Sequence, residues 1–245
     1  MTICPLCGRE IVHGELWTEV KGVRVHWDCW VRAGRPRKWP LRKINKYVIP
    51  LSTQRLFLEL NRQADRLTKE RGLDEYGIEW GGPLFLEDEK VVLRDAVFGE
   101  KLFSISFEVP EDEELGVVGD VHYHPFGSGP SVKDMAKWLY VAANRVSPEL
   151  RALHIVVIAY EGFLWHLFPY RDELVEVWHA YVDQIESPEI DELARTYFPE
   201  EYQEDKKWAR GLALQSFIVK TLIEEGEIRE GFEALGREDV VIELM

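Results

Sequence analysis

Gly119-Asp120-Val121-His122-Tyr123-His124-Pro125-Phe126-Gly127-Ser128-Gly129-Pro130-Ser131-Val132-Lys133-Asp134 decides how the rest of the chain is read. A strand-like run from Gly116 to Tyr123 ends in this stretch, a Gly/Pro/Ser loop follows, and a helix is expected from Val132 to about Asn144. Side chains at i and i+2 of a strand leave the same side of a sheet, so His122 and His124 can aim both imidazoles at one point. Ser131-x2-Asp134 has the form of a capping box, which sets the Asp134 carboxylate in the first helical turn. Two His and one Asp make three protein ligands with a fourth position left for water, the open arrangement of a catalytic zinc. With seven His in 245 residues, a His-x-His pair arises by chance about 0.2 times per chain. The pair alone is weak, and its weight comes from the Pro, Ser and Asp at fixed offsets across a strand-to-helix junction. Ser131 also reads as nothing more than a helix cap.

Outward from this stretch the pattern is α/β. Tyr47-Val48-Ile49 reads as a short strand. A helix runs from an N-cap at Ser52 to about Arg71, with Gly72 at its end and Phe57, Leu60, Ala64 and Leu67 as its apolar stripe. Strand-like runs follow at Pro83 to Leu86, Lys90 to Val97, Leu102 to Val109 and Gly116 to Tyr123. After the Val132 helix come strands at Leu153 to Tyr160 and Phe163 to Phe168. That order implies a mixed sheet flanked by helices. Beyond Ser187-Pro188 the chain reads as mainly helical, with a helix over about Glu204 to Glu225 packing through Trp208, Leu212, Val219, Leu222 and Ile223, and Val240-Val241-Ile242 as a closing strand. His154, His166 and His179 read as structural or exposed, and Trp165, Phe168, Tyr170 and Trp178 as core.

All three cysteines fall in the first 29 residues, a clustering with a random expectation of roughly 0.002. Cys4-x2-Cys7 followed by His26-x2-Cys29 offers three thiolates and an imidazole, the closed tetrahedral set of a structural zinc site, and resembles a LIM-type or treble-clef-like zinc ribbon. His13 fits no second pair of ligands. Downstream, Arg32, Arg35, Arg37, Lys38, Arg42, Lys43 and Lys46 come without an acidic residue, and Pro36 and Pro40 break any helix. This segment is either a solvated connector or a contact strip for nucleic acid or an acidic protein.

Composition bounds the function classes. At 46% hydrophobic residues, 18 Gly and 12 Pro over 245 positions, the chain is long and apolar enough for one large domain or a medium domain with appendages. The net charge of −14 excludes wholesale coating of nucleic acid or acidic membrane. It is an average over unlike parts: residues 1–50 hold ten Lys and Arg against four Asp and Glu, or +6, which leaves −20 for the other 195. No apolar run approaches the roughly 18 to 20 residues of a membrane helix, and residues 1–20 have no signal-peptide centre, so the expectation is a soluble cytoplasmic chain with no membrane partner.

His122-x-His124-Pro125 followed by Ser131-x2-Asp134 resembles the signature of the JAMM (MPN+, JAB1/Mov34-type) zinc metalloproteases. Their upstream Glu-x2-Gly-x-Leu is matched by Glu79-Trp80-Gly81-Gly82-Pro83-Leu84. The resemblance covers roughly Lys46 to Val182. Two departures stand out: six residues separate His124 from Ser131 where the family usually has seven, and position 123 is Tyr where Ser or Thr is commoner. The loop glycines are expected to close the tighter turn, and Tyr123 to change the surroundings of the ligands without replacing one.

The resemblance implies an MPN/JAB domain of cytidine-deaminase-like fold over residues 47–186. Around it lie a zinc module (1–33), a basic linker (34–46) and an acidic, mainly helical extension (187–245). It implies one catalytic zinc on His122, His124 and Asp134 beside the structural one. Glu79 would be general base and Ser131 the hydrogen-bond donor to an oxyanion, in the cleavage of isopeptide or peptide bonds at the carboxyl terminus of a ubiquitin-like protein. Asp74 and Glu75 compete with Glu79 but are not followed by Gly-x-Leu. Two other functions stay open: a nucleic-acid- or protein-binding module with a non-proteolytic MPN domain, and a hydrolase releasing a small molecule from a sulfur-carrier-type protein.

Overall fold

The computed structural model describes residues 2–4, 9–11, 17–20, 23–26, 29, 44–73, 77–87, 89–99, 107 and 116–244. The expected strand at Leu102 to Val109 lies outside them except for Phe107, as does the basic segment Arg32, Arg35, Arg37, Lys38, Arg42 and Lys43. In chain order the strands are β1 (Thr2–Ile3), β2 (Glu10–Ile11), β3 (Trp17–Val20), β4 (Val23–His26), β5 (Lys46–Ile49), β6 (Trp80–Glu87), β7 (Lys90–Leu93), β8 (Val97–Phe98), β9 (Val117–His124), β10 (Arg151–Ile158), β11 (Gly162–Tyr170), β12 (Arg229–Ala234) and β13 (Val240–Glu243). The helices are α1 (Leu51–Glu70), α2 (Val132–Asn144), α3 (Arg171–Tyr181), α4 (Pro188–Tyr197), α5 (Pro199–Glu204) and α6 (Lys206–Glu224), with a 3₁₀ turn at Val182–Glu186. Contacts group the chain into two units, one of Met1–Pro40, Ser131–Asn144 and Pro169–Ile228, the other of Leu41–Pro130, Arg145–Phe168 and Arg229–Met245.

The second unit is built on one mixed sheet of order β12-β11-β10-β9-β6-β7-β5-β13, with β8 added alongside β6. Strands β9 and β10 run parallel, as do β5 and β7, while β9/β6, β6/β7, β11/β12 and β5/β13 are antiparallel. The sheet nearly closes on itself: Arg229 of β12 donates to the Glu243 carbonyl of β13 at 2.7 Å. All eight residues of β9 and of β10 are buried, most of them apolar, with Asp120, His122, His124, Arg151 and His154 as the polar exceptions. That is the composition expected of strands covered on both faces. Helix α1 buries Phe57, Leu60 and Ala64 of the expected stripe and leaves Leu67 half-buried, and it buries Thr53, Gln54 and Asn61 as well. The Phe57 ring meets Trp80 at 5.7 Å and Phe163 at 6.3 Å.

The start of α1 departs from the sequence expectation. Ser52 lies inside the first turn, and Pro50 occupies the N-cap without a side-chain cap. Leu51 N–H is satisfied instead by Asp239, 188 residues away, at 2.7 Å. A distant carboxylate has replaced the local hydroxyl, and nothing in the local pattern announces it. Gly72 follows the helix at φ +66°, as expected of a terminating glycine. The run Lys90 to Val97 is broken into β7 and β8, with Asp95 at φ 53° between them. The carboxyl-terminal segment contributes β12 as well as β13 to the sheet, so the acidic tail is not only helical.

The first unit is mainly helical. Helix α6 is capped by Asp205, which accepts the Lys207 and Trp208 amides. Its buried face comprises Ala209, Gly211, Ala213, Leu214, Gln215, Ser216, Ile218, Val219 and Leu222, whereas Trp208, Leu212 and Ile223 are only half-buried. The face is wider and more small-sided than the bulky residues suggested, because small residues let neighbouring helices approach. Ser216 Oγ reaches the Val132 carbonyl of α2 at 2.7 Å. Asp191 of α4 ties Arg195 at 2.6 Å and Arg210 at 2.5 Å. Among the described residues no helix is long and apolar enough to cross a membrane.

Gly119 is the tightest point of the central strands. Its φ is +151°, and a Cβ there would collide with the Leu153 carbonyl of β10. Gly119→Ala is therefore expected to cost about 3 kcal/mol or more in urea unfolding, or to abolish soluble expression. A variant unfolding at the wild-type midpoint would show that β9 and β10 do not approach in this way.

Candidate metal centres

His122 and His124 leave β9 on one side, with ring centroids 4.7 Å apart. Tyr123 between them points the other way, is buried, and stacks on Trp80 at 6.1 Å with the planes 15° apart. Its phenol thus fills the sheet's opposite face and leaves the imidazoles alone. After Pro125 the chain turns through Gly127, and the Gly127 and Ala159 amides both donate to the His124 carbonyl, at 3.4 and 3.3 Å. His124 Nδ1 lies 3.0 Å from the Ser128 carbonyl and 3.1 Å from Ser128 Oγ. A carbonyl can only accept, so Nδ1 carries the proton and the ring's basic lone pair is on Nε2.

Ser131 and Asp134 form the expected reciprocal cap. Ser131 N–H donates to Asp134 Oδ2 at 2.7 Å, and Asp134 N–H donates to Ser131 Oγ at 3.2 Å. One ligand atom from each of His122, His124 and Asp134 lies within 4.8 Å of the others. Both imidazoles are nearly buried, while Asp134 is half-buried. Two neutral imidazoles and one carboxylate are a donor set that suits a borderline divalent cation, with one side left for water or substrate.

Glu79 precedes β6. The antiparallel register of β6 on β9 pairs Gly81 with His122, and extending it by two residues sets Glu79 opposite His124. Directly opposed residues share a face, so Glu79 belongs to the face of the two histidines. Gly81 lets the Phe107 ring pack close against the strand there: a Cβ would sit 2.6 Å from that ring and 3.2 Å from His122 Cβ. The Glu79 carbonyl is held by Gly99 N–H at 2.9 Å, and the residue is 9% exposed. Asp74 and Glu75 lie outside the described residues.

A second cluster gathers Cys4, His26 and Cys29, again within 4.8 Å. Cys4 follows β1, whose pairing with β2 brings the chain back so that Cys4 N–H meets the Arg9 carbonyl at 2.8 Å. His26 ends the β3/β4 hairpin and donates its backbone N–H to Cys4 Sγ at 3.3 Å. Cys29 stands in helical backbone three residues on, and neither it nor Cys4 is in a disulfide. Cys4 after β1, His26 at the end of β4 and Cys29 thus each offer one atom that could hold a metal ion. Cys7, the fourth member of that set, lies outside the described residues.

One group on the histidine face was not read from the sequence as a group. Asp120, two residues before His122, pairs with His154 of β10 at 2.8 Å, both fully buried. His166 of β11 stands opposite Glu230 of β12, 3.4 Å away. The available signal was polar residues isolated in otherwise apolar strand runs. His179 is exposed, as are Ser131 and Ser128.

Burial, then the neighbouring His154 and His122, hold the His166 imidazole down at about 4. Glu230 pulls the other way, but its side chain is 56% exposed and well solvated, so burial wins. Between pH 6.5 and about 4 the unfolded chain takes up a proton that the folded chain refuses, so stability falls as pH drops through that window. The loss has a ceiling of about 3 kcal/mol. Urea midpoints measured from pH 7 to 4.5 should fall less steeply for His166→Gln than for wild type, and parallel profiles would contradict the burial argument.

Comparison of the chain with protein-family models, curated proteins and solved structures finds no match.

Proposed function

We propose that this chain is a JAMM-type zinc metallohydrolase that cleaves isopeptide or peptide bonds at the carboxyl terminus of a ubiquitin-like protein. The observation that carries the reading is the convergence of His122, His124 and Asp134 within 4.8 Å at a strand-to-helix junction. Glu79, two residues before the Gly81 that pairs with His122 and nearly buried, supports it. The second cluster, Cys4, His26 and Cys29 with Cys7 from the sequence, is read as a structural zinc site.

Zinc held by the three ligands would supply a Lewis acid and lower the pKa of a bound water. The chain's own residues do the rest. Glu79, nearly enclosed and on the ligands' face, accepts the proton of the attacking water and returns it to the departing amine, so that each turnover leaves the carboxylate as it began. Ser131 Oγ accepts the Asp134 amide and has its hydroxyl proton to give to the oxygen on which charge develops. Ser128 holds His124 in the tautomer that keeps Nε2 basic. Residues 1–50, at +6 against −20 for the remainder, make the amino-terminal module a contact for an acidic substrate surface or nucleic acid.

The test is cleavage of a lysine-linked ubiquitin-like conjugate together with zinc content. Glu79→Gln should keep its zinc and lose about 10²–10⁴-fold in kcat. His122→Ala should lose one zinc and all cleavage. Undiminished cleavage by Glu79→Gln would remove the general base from the account. If the wild type held a single zinc, lost on Cys4→Ser, the metallohydrolase reading would be wrong.

A further inference from the structure

Helix α1 buries an apolar stripe, Phe57, Leu60 and Ala64, yet Asn61 on the same face is a fully buried amide. A buried amide is costly unless both of its ends are hydrogen-bonded, and a leucine would fill the same stripe. Both ends of Asn61 are bonded. Its Oδ1 accepts Trp80 Nε1–H at 2.8 Å, and its Nδ2 donates to the Ala159 carbonyl. The amide's orientation follows from chemistry, since an indole N–H only donates and a carbonyl only accepts.

Both partners lead to the histidine face. Trp80 is bonded to Glu79 in the chain and stacks on Tyr123, which lies between His122 and His124. Ala159 donates its N–H to the His124 carbonyl, and it does so at φ 44°, a left-handed conformation that a non-glycine residue holds only when its surroundings enforce it. One side chain thus ties the residue after the proposed base to the turn that clasps the end of β9. We infer that Asn61 is a positioning residue: it holds Glu79 and His124 in fixed relation from the far side of the sheet, without touching metal or substrate. The inference rests on the reading of His122, His124 and Asp134 as a metal site.

The experiment measures cobalt(II) and zinc binding to the full-length chain, with the visible cobalt spectrum and competition against a chelator as readouts. The His/Asp site is identified as the one lost in His122→Ala. Asn61→Leu removes both hydrogen bonds while suiting the apolar stripe. Asn61→Asp keeps an acceptor for Trp80 but turns an acceptor toward the Ala159 carbonyl. Both are expected to weaken metal at that site about 10–100-fold and to shift its cobalt spectrum. Thr53→Val is the control on the same helix: it deletes a buried bond to the Val91 carbonyl, 3.0 Å, that leads nowhere near the histidines. It should leave spectrum and affinity unchanged. A folded Asn61→Leu with wild-type affinity and spectrum overturns the positioning role, as does a Thr53→Val that weakens metal equally. A wild type that binds no metal through His122 overturns the metal reading and the inference with it.

Discussion

The antiparallel register between β6 and β9 is the constraint on which the candidate site depends. With Gly81 opposite His122, the strand that follows Glu79 runs antiparallel to the strand that ends in His124, and carrying the alternation two residues back from Gly81 assigns Glu79 to the face of both imidazoles. Side chains alternate with a period of two, so a slip of one residue would send Glu79 to the aromatic side and bring Trp80 against the histidines. The register is pinned from that aromatic side. Trp80 stacks on Tyr123, packs on Phe57 and donates to Asn61, and none of these contacts survives a shift.

The two faces of the sheet therefore do different work with one set of strands. The far face is an aromatic layer of Trp80, Tyr123, Phe57 and Phe163 closed by α1. The near face collects Glu79, Asp120, His122, His124, His154 and His166 within an almost wholly buried sheet. Polar groups crowded into an apolar setting are unfavourable unless each has a partner or a ligand, so such a face is expected where chemistry is done. His166 illustrates the cost, since its imidazole is held well below its ordinary range by burial.

Much of this was legible in the residues because the signals are local. His-x-His on a strand and a capping box four residues long each need only a few neighbours, and helix α2 begins at Val132 and ends at Asn144 as its pattern predicts. What escaped was set by contacts distant in sequence. The α1 amino terminus is capped by Asp239, not by Ser52, and the role of Asn61 depends on Trp80 and Ala159, which lie 19 and 98 residues away. The α3 helix over Arg171–Tyr181 and strand β12 were missed because charged residues dilute their periodicity, and the sheet, not propensity, recruits β12.

The central claim is that His122, His124 and Asp134 hold a divalent metal on the face that Glu79 shares. An anomalous difference map at the zinc absorption edge, from crystals of the full chain grown with zinc, tests it most directly. The account predicts a peak about 2 Å from a ring nitrogen of His122, a ring nitrogen of His124 and a carboxylate oxygen of Asp134, separate from one at Cys4, His26 and Cys29. A map with density only at the cysteine cluster would contradict it.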